Sequence, residues 1–213
     1  NTLNTGYAQA NNIGFHVARG RYHMVLNPDT LLAPGCLQSL IGHLEAHPAH
    51  AMVGPLACMD PELTVLMPPN ELPTPEWYAA QIAVQTDKTA ALANVDRRTQ
   101  FSWTYWSAQS PIEMEMLSGC CVLFRRSLYE GTWPFDPGFP LYYEDTDMFM
   151  DLKRRKLKMI HVPAAKIVHY FSRSAYTHTK GAQYRHKLSE DRYFKKYFPG
   201  PGYDSYRDSK AKL

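Results

Sequence analysis

The sequence predicts an α/β layer protein, a mixed sheet flanked by helices. Three observations carry this. Short apolar runs of strand length alternate with segments whose apolar residues recur at helical spacing. Turn-forming residues close the strand-like runs. The 213 residues, 45% hydrophobic and 20% charged, have the make-up of a globular domain large enough to bury about 70% of its unfolded surface. No window approaches the roughly 20 apolar residues of a membrane-spanning helix.

The elements follow in order. A helix-compatible window holds Ala8, Asn12, Phe15 and His16, with Gly20 as its stop. Residues 22–26 read as a buried strand that ends at Asn27-Pro28-Asp29-Thr30, which is turn chemistry. Pro34 opens a second helix through Leu37, Leu40, Ile41 and Leu44, and 51–53 read as a short strand. The stretch 62–75 contains four prolines and reads as a surface excursion, followed by a helix over 76–93. The aromatic cluster 101–106 stacks on a sugar or base if it lies in a loop; packing is the commoner use. A strand-like run from Glu113 passes Ser118-Gly119 into Cys120-Cys121-Val122-Leu123-Phe124, and Ser127 caps a short helix. A Pro/Gly/aromatic loop over 135–143 delivers Glu144-Asp145-Thr146-Asp147 to a helix ending in Lys153-Arg154-Arg155-Lys156, charges that suit the helix dipole. Two short strands, 158–162 and 166–169, precede a polar helix over 183–197 and a polar, mobile tail.

Four cysteines without a CxxC pair argue against a zinc knuckle and for reduced, buried thiols in a cytoplasmic protein. The net charge of +3 conceals a division: residues 1–150 carry −8 and residues 151–213 carry +11. The basic end suits a phosphate or an anionic membrane face, or simply a solvated helix. No nucleic-acid-binding pattern accompanies it.

In α/β folds the chemistry gathers beyond the carboxyl ends of strands, and Asp29, Asp145 and His169 sit at such ends. A carboxylate and an imidazole with open positions suit Mn²⁺ or Mg²⁺ holding a diphosphate, leaving Glu144-Asp145 for general-base work. Taken singly, Asp29 reads as a turn residue, His169 as a hydrogen-bonded structural histidine, and the acidic pair as a helix cap.

Wording and order add to this. The runs Asn4-x-Gly6-Tyr7-Ala8-x-x-Asn11-Asn12-x-Gly14, Leu26-Asn27-Pro28-Asp29 and Ser118-Gly119-Cys120-Cys121-x-Leu123-Phe124-Arg125-Arg126 come first. Phe135-Asp136-x-x-Phe139, Tyr143-Glu144-Asp145-Thr146-Asp147 and Val162-Pro163-x-Ala165-x-x-x-His169 follow. Together they resemble the inverting family 2 glycosyltransferases of the GT-A fold, in particular the rhamnosyltransferase-like branch that builds bacterial surface polysaccharides. The resemblance covers about 4–174 and implies a partial GT-A-like core over 1–174, leaving 175–213 as a basic carboxyl-terminal helix and tail.

The resemblance implies a nucleotide-diphospho-sugar donor, a glycan or lipid-linked acceptor, and Mn²⁺ or Mg²⁺. It makes Asp29 and His169 the metal ligands, with Asn27 where the family usually has a first Asp. It makes Asp145 the general base and Glu144 its positioning neighbour. Ser118, Gly119 and Cys120 become the strand edge under the sugars, Arg125 and Arg126 phosphate binders, and Asn11 and Asn12 residues that order the donor loop. It further implies that about 60–80 residues of nucleotide-reading strands precede Asn1, so that the chain needs another segment or a second copy to cover its sheet. A catalytically silent sugar-nucleotide or polysaccharide binding module is the competing expectation. A peripheral contact of the basic end with the inner membrane face is a further one.

Overall fold

A computed structural model describes residues 5–170 and 180–212. The expected boundary at 174/175, and Asn4 of the first motif, lie outside the described residues.

A six-stranded mixed sheet organises the chain. Its order is β1 (Tyr22–Leu26), β5 (Cys121–Arg125), β3 (His50–Cys58), β6 (Lys158–His169), β2 (Thr30–Leu32), with β4 (Ile112–Met114) also on β6. Only β3 and β6 run parallel; the other pairs are antiparallel. The long β6 hosts two short partners in succession. Met159 to His161 pair with β4, and Ile167 to His169 pair with β2.

Seven helices surround the sheet among the described residues: α1 (Tyr7–Val17), α2 (Cys36–Ala46), α3 (Pro75–Thr86), α4 (Lys88–Trp106), α5 (Glu144–Arg154), α6 (Lys180–Tyr197) and α7 (Pro201–Lys210). Both faces of the sheet are covered, so central strands read as continuous apolar runs. In β5, Cys121 and Leu123 pack with Leu40 and Leu44 of α2 on one face. Val122 and Phe124 turn to the other face, into a cluster with Phe149 and Leu152 of α5 and Tyr193 and Phe194 of α6.

Several elements differ from expectation, each for a local reason. The strand expected over 51–53 spans His50–Cys58, because Gly54 and Pro55 are accommodated at a register shift between Pro55 and Leu56. The two strands expected over 158–162 and 166–169 are one strand. Opposite Pro55 and Leu56 it steps from Val162 to Lys166, bulging where Pro163 cannot donate to the ladder. The helix expected over 76–93 is two helices, parted at Asp87, whose carboxylate caps α4 by accepting from Thr89 N at 2.8 Å. The aromatic cluster 101–106 lies in helix α4, not in a loop. Within it Tyr105 is buried, stacks on His161 and donates to Pro55 O, whereas Trp103 is exposed. The tail is not a mobile strand of chain: α7 docks, with Tyr206 stacked on Phe194 at 3.9 Å between ring centres. The helix α1 ends at Val17, before Gly20.

Candidate active site

The strand β2, unforeseen in the sequence, builds the first half of the site. Its antiparallel register sets Thr30 opposite His169, and Tyr170 N donates to Asp29 O at 2.9 Å. This brings Asp29 Oδ1 to 3.2 Å from His169 Nε2, both side chains mostly buried. Residues separated by 140 positions thereby share one wall with Asn27, whose N–H is anchored on Cys120 O at 2.9 Å. Tyr7 from α1 closes over this turn, its phenol 3.4 Å from both Asn27 Oδ1 and Gly119 O.

The second half comes from α5. Tyr142 and Tyr143, immediately before it, adopt left-handed φ values of 59° and 64°. Such backbone costs on the order of 1–3 kcal/mol and persists only where surroundings impose it. Here Tyr143 donates to the buried Glu190 of α6 at 3.2 Å and packs on Tyr193. The bend aims Asp145 at Gly119, where a β-carbon would overlap Asp145 Oδ2. Glycine is required at 119 by this approach.

Asp145 and Glu144 differ in their partners. Thr146 N donates to Asp145 Oδ1 at 2.7 Å. Glu144 Oε2 is buried with no hydrogen-bond partner among the described residues. Burial raises the Asp145 carboxyl above its usual range, and the Thr146 bonds oppose that rise. Burial, reinforced by the Asp145 charge, pushes Glu144 up to about 8. Burial, then the charges of Asp145 and Glu144, also raise the Tyr7 phenol.

These groups line one cavity of about 520 Å³. Asn27, Asp29, Ser118, Gly119, Cys120, Glu144, Asp145 and His169, all expected from the sequence, meet there. Four expected residues do not line it. Asn11 bonds back to Tyr7 O at 2.9 Å within α1. Asn12 is buried and clamps the chain at Phe135, donating to its carbonyl at 2.7 Å and accepting from its N–H at 3.2 Å. Arg125 and Arg126 lie at the opposite end of β5. Arg125 donates to His50 O and Leu44 O, and Arg126 to Ala18 O, so both guanidiniums bond backbone carbonyls away from the cavity.

The profile of glycosyl transferase family 2 matches residues 1–133. The chain belongs to glycosyl transferase family 2. It is 27% identical over 154 residues to the N-acetylglucosaminyl-diphospho-decaprenol L-rhamnosyltransferases of two Mycobacterium tuberculosis strains. The aligned part is 71% of this chain and 47% of the relatives, so the chain spans about half the length of the curated relatives it matches. In fold, a crystal structure of GalNAc-T7 with UDP, GalNAc and Mn²⁺ superposes with a TM-score of 0.53 at 12% identity, covering 100% of this chain and 42% of that one. The sheet and helices are therefore those of a GT-A-like fold.

For this family 2 chain the donor set on the Asp29 wall fits a hard divalent cation of one kind. One carboxylate and one imidazole, beside the Asn27 amide, are too few to cage an ion, and among the described residues no group of three or more His, Cys, Asp or Glu does so. Mg²⁺ and Mn²⁺ keep waters and take phosphate oxygens, so two protein ligands suffice when a diphosphate supplies others. Sequence reading missed Tyr7, Asn70, Tyr142 and Arg185 as cavity residues. Tyr7 stands in the first motif and was legible there. Arg185 sits in a polar helix with nothing local to mark it.

Part of the basic carboxyl-terminal charge is paired within the chain. Lys196 holds the buried Asp147 at 2.7 Å, Arg192 holds Asp136 at 2.9 Å and Lys210 holds Glu190 at 3.0 Å. Among the described residues no helix is long and apolar enough to cross a membrane.

Proposed function

We propose that the chain is the catalytic part of an inverting glycosyltransferase that moves a sugar from a nucleotide-diphospho-sugar to a glycan or lipid-linked acceptor. One observation carries the reading: a carboxylate pressed against Gly119 faces the same cavity as the Asp29–His169 pair. Asp145 is the general base. Its Oδ1 is held by Thr146, which leaves Oδ2 toward the cavity to take the acceptor hydroxyl's proton. Glu144, without a bonding partner for Oε2, is pushed up to about 8, and the hydrogen bonds from Thr146 favour the charged form of Asp145 against the burial that raises it.

Asp29 and His169, with Asn27, would hold Mn²⁺ or Mg²⁺ at the diphosphate. Held there, such an ion would supply Lewis-acid stabilisation of the charge on the leaving diphosphate. The acceptor oxygen attacks the face opposite that group, which inverts the anomeric carbon. Ser118, Gly119 and Cys120 form the floor beneath the reacting sugars, and Tyr7 holds Asn27 and the Gly119 carbonyl in place. The relatives' names, which place a diphospho-decaprenol in their substrate, support a lipid-linked acceptor for this chain.

Nucleotide release from dTDP- and UDP-sugars in Mn²⁺, with and without acceptor, tests the reading. Asp145→Asn, folded by circular dichroism, is expected to lose about 10²–10⁴-fold in turnover. Retention of activity within about tenfold would remove Asp145 from the base role. The silent binding module is the second reading, favoured by Asn27 in place of an acid. Nucleotide-sugar binding with no metal-dependent turnover in the wild type would establish it.

A further inference from the structure

A second cavity, of about 440 Å³, adjoins the first. Asn70 lines both, and its amide donates to Leu117 O at 3.3 Å, between Met116 of one wall and Ser118 of the other. The second cavity lies between α3, α4 and β4. Trp77 and Phe101, both half-buried, give it aromatic surface. Neither has a part in the transfer step described above.

The charge of its walls restricts what it can hold. Four carboxylates line it against a single guanidinium, that of Arg97, which is already held by Glu71. Glu113 is tied to Lys158 at 3.1 Å and Glu115 to Lys153 at 2.7 Å, and Glu76 stands exposed at the start of α3. With those three pairs made, Glu76 is the carboxylate left without a cation, and no cation is left over for a phosphate, which would meet the Glu76 charge. A polyprenyl chain would have to desolvate these carboxylates. An uncharged sugar meets neither obstacle. Its C–H faces pack on aromatic rings, and its hydroxyls donate charge-assisted hydrogen bonds to carboxylates. The ion pairs already fix three of those carboxylates, so less rotamer freedom is lost on binding.

We propose that the Trp77–Phe101 cleft is a subsite for uncharged glycan, holding the sugar units of the acceptor that lie beyond the one reacting at Asp145. The proposal rests on the transferase reading and narrows its acceptor class. Acceptors that carry several neutral sugars are preferred over single sugars, and the diphosphate-bearing groups lie on the Asp29 side of Asn70.

The test is saturation-transfer NMR on the full chain with neutral tetrasaccharides of N-acetylglucosamine, mannose and rhamnose, and a sulfated tetrasaccharide as the anionic control. At least one neutral tetrasaccharide should bind, and the sulfated one should not. Phe101→Ala and the exposed Glu76→Lys should each weaken binding by about tenfold. Circular dichroism checks the fold of Phe101→Ala, and Glu76→Lys carries the test if that variant fails to fold. The proposal is overturned if none of the three neutral tetrasaccharides binds, if folded variants bind as the wild type does, or if the sulfated sugar binds more tightly. Nucleotide release separates the two readings. Turnover without tetrasaccharide binding defeats the cleft alone, and tetrasaccharide binding without turnover defeats the transferase reading.

Discussion

Gly119 and Glu144 expose how narrowly the site is specified at single residues. A methyl group at 119 meets the carboxylate of Asp145, so Gly119→Ala must displace it. Misplacement on the order of 1 Å costs about 10²-fold in rate, and that is the loss expected in nucleotide release while the circular dichroism spectrum stays unchanged. Glu144 makes a separate prediction about stability. Its carboxyl titrates near 8 in the folded chain and near 4.5 when unfolded. Between those values the folded state holds the extra proton, so wild-type stability falls as pH rises, by up to about 1.4 kcal/mol per pH unit, and levels off above about 8. Glu144→Gln removes the proton and with it the slope. Thermal melting at pH 5 and pH 9 should show the variant gaining on the wild type as pH rises; parallel behaviour would mean that Glu144 is ionised in the fold.

Among elements, α5 and its approach concentrate the strain. Two consecutive tyrosines in the left-handed region precede its first turn, and α6 holds them there through Glu190 and Tyr193. The acidic first turn is compensated at Asp147 by Lys196, also from α6. The carboxyl-terminal helices are thus part of what shapes the site: Ala182 and Arg185 of α6 line the cavity itself. The docking of α7 is testable alone. Tyr206 is buried and stacked on Phe194, so Tyr206→Ala should destabilise the chain by about 3 kcal/mol in urea unfolding. A change below about 0.5 kcal/mol would return α7 to the status of a loose tail.

At the scale of the whole molecule, the division of charge along the chain becomes a division that the fold closes. The basic end folds back on acidic groups of the amino-terminal part, pairing Lys196 with Asp136 and Asp147, and Arg192 with Asp136. What remains to attract an anionic membrane face, among the described residues, is a scatter of exposed cations outside those ion pairs, Lys187 and Lys212 among them. Each contributes about 1 kcal/mol at most near a charged bilayer. Co-sedimentation with vesicles rich in phosphatidylserine should therefore be weak, lost in high salt and reduced by Lys187→Glu with Lys212→Glu. Absence of pelleting at low salt would end the membrane proposal for this chain.

Helices α1, α2, α5 and α6 and most strands were legible because their signals are local: an apolar period, a capping residue, a turn dipeptide; α7, read as a mobile tail, was not. Eight of the cavity's residues were legible as well, since they stand in short ordered motifs at the ends of elements. Arg125 and Arg126 show the limit of that reading. Adjacent arginines after a strand look available to phosphate, yet their position at the far end of β5 gives them to the carbonyls of His50, Leu44 and Ala18. The three-residue β2 had no signal of its own; it exists because β6 offers it a partner. By itself, then, the sequence determined the α/β class, the motif order and the chemical types at the site. The tertiary structure alone decided that Asp29 meets His169, that Asp145 reaches Gly119, and that a helix from the basic end lines the cavity. Those contacts join residues far apart in the chain, and register and packing between elements set them.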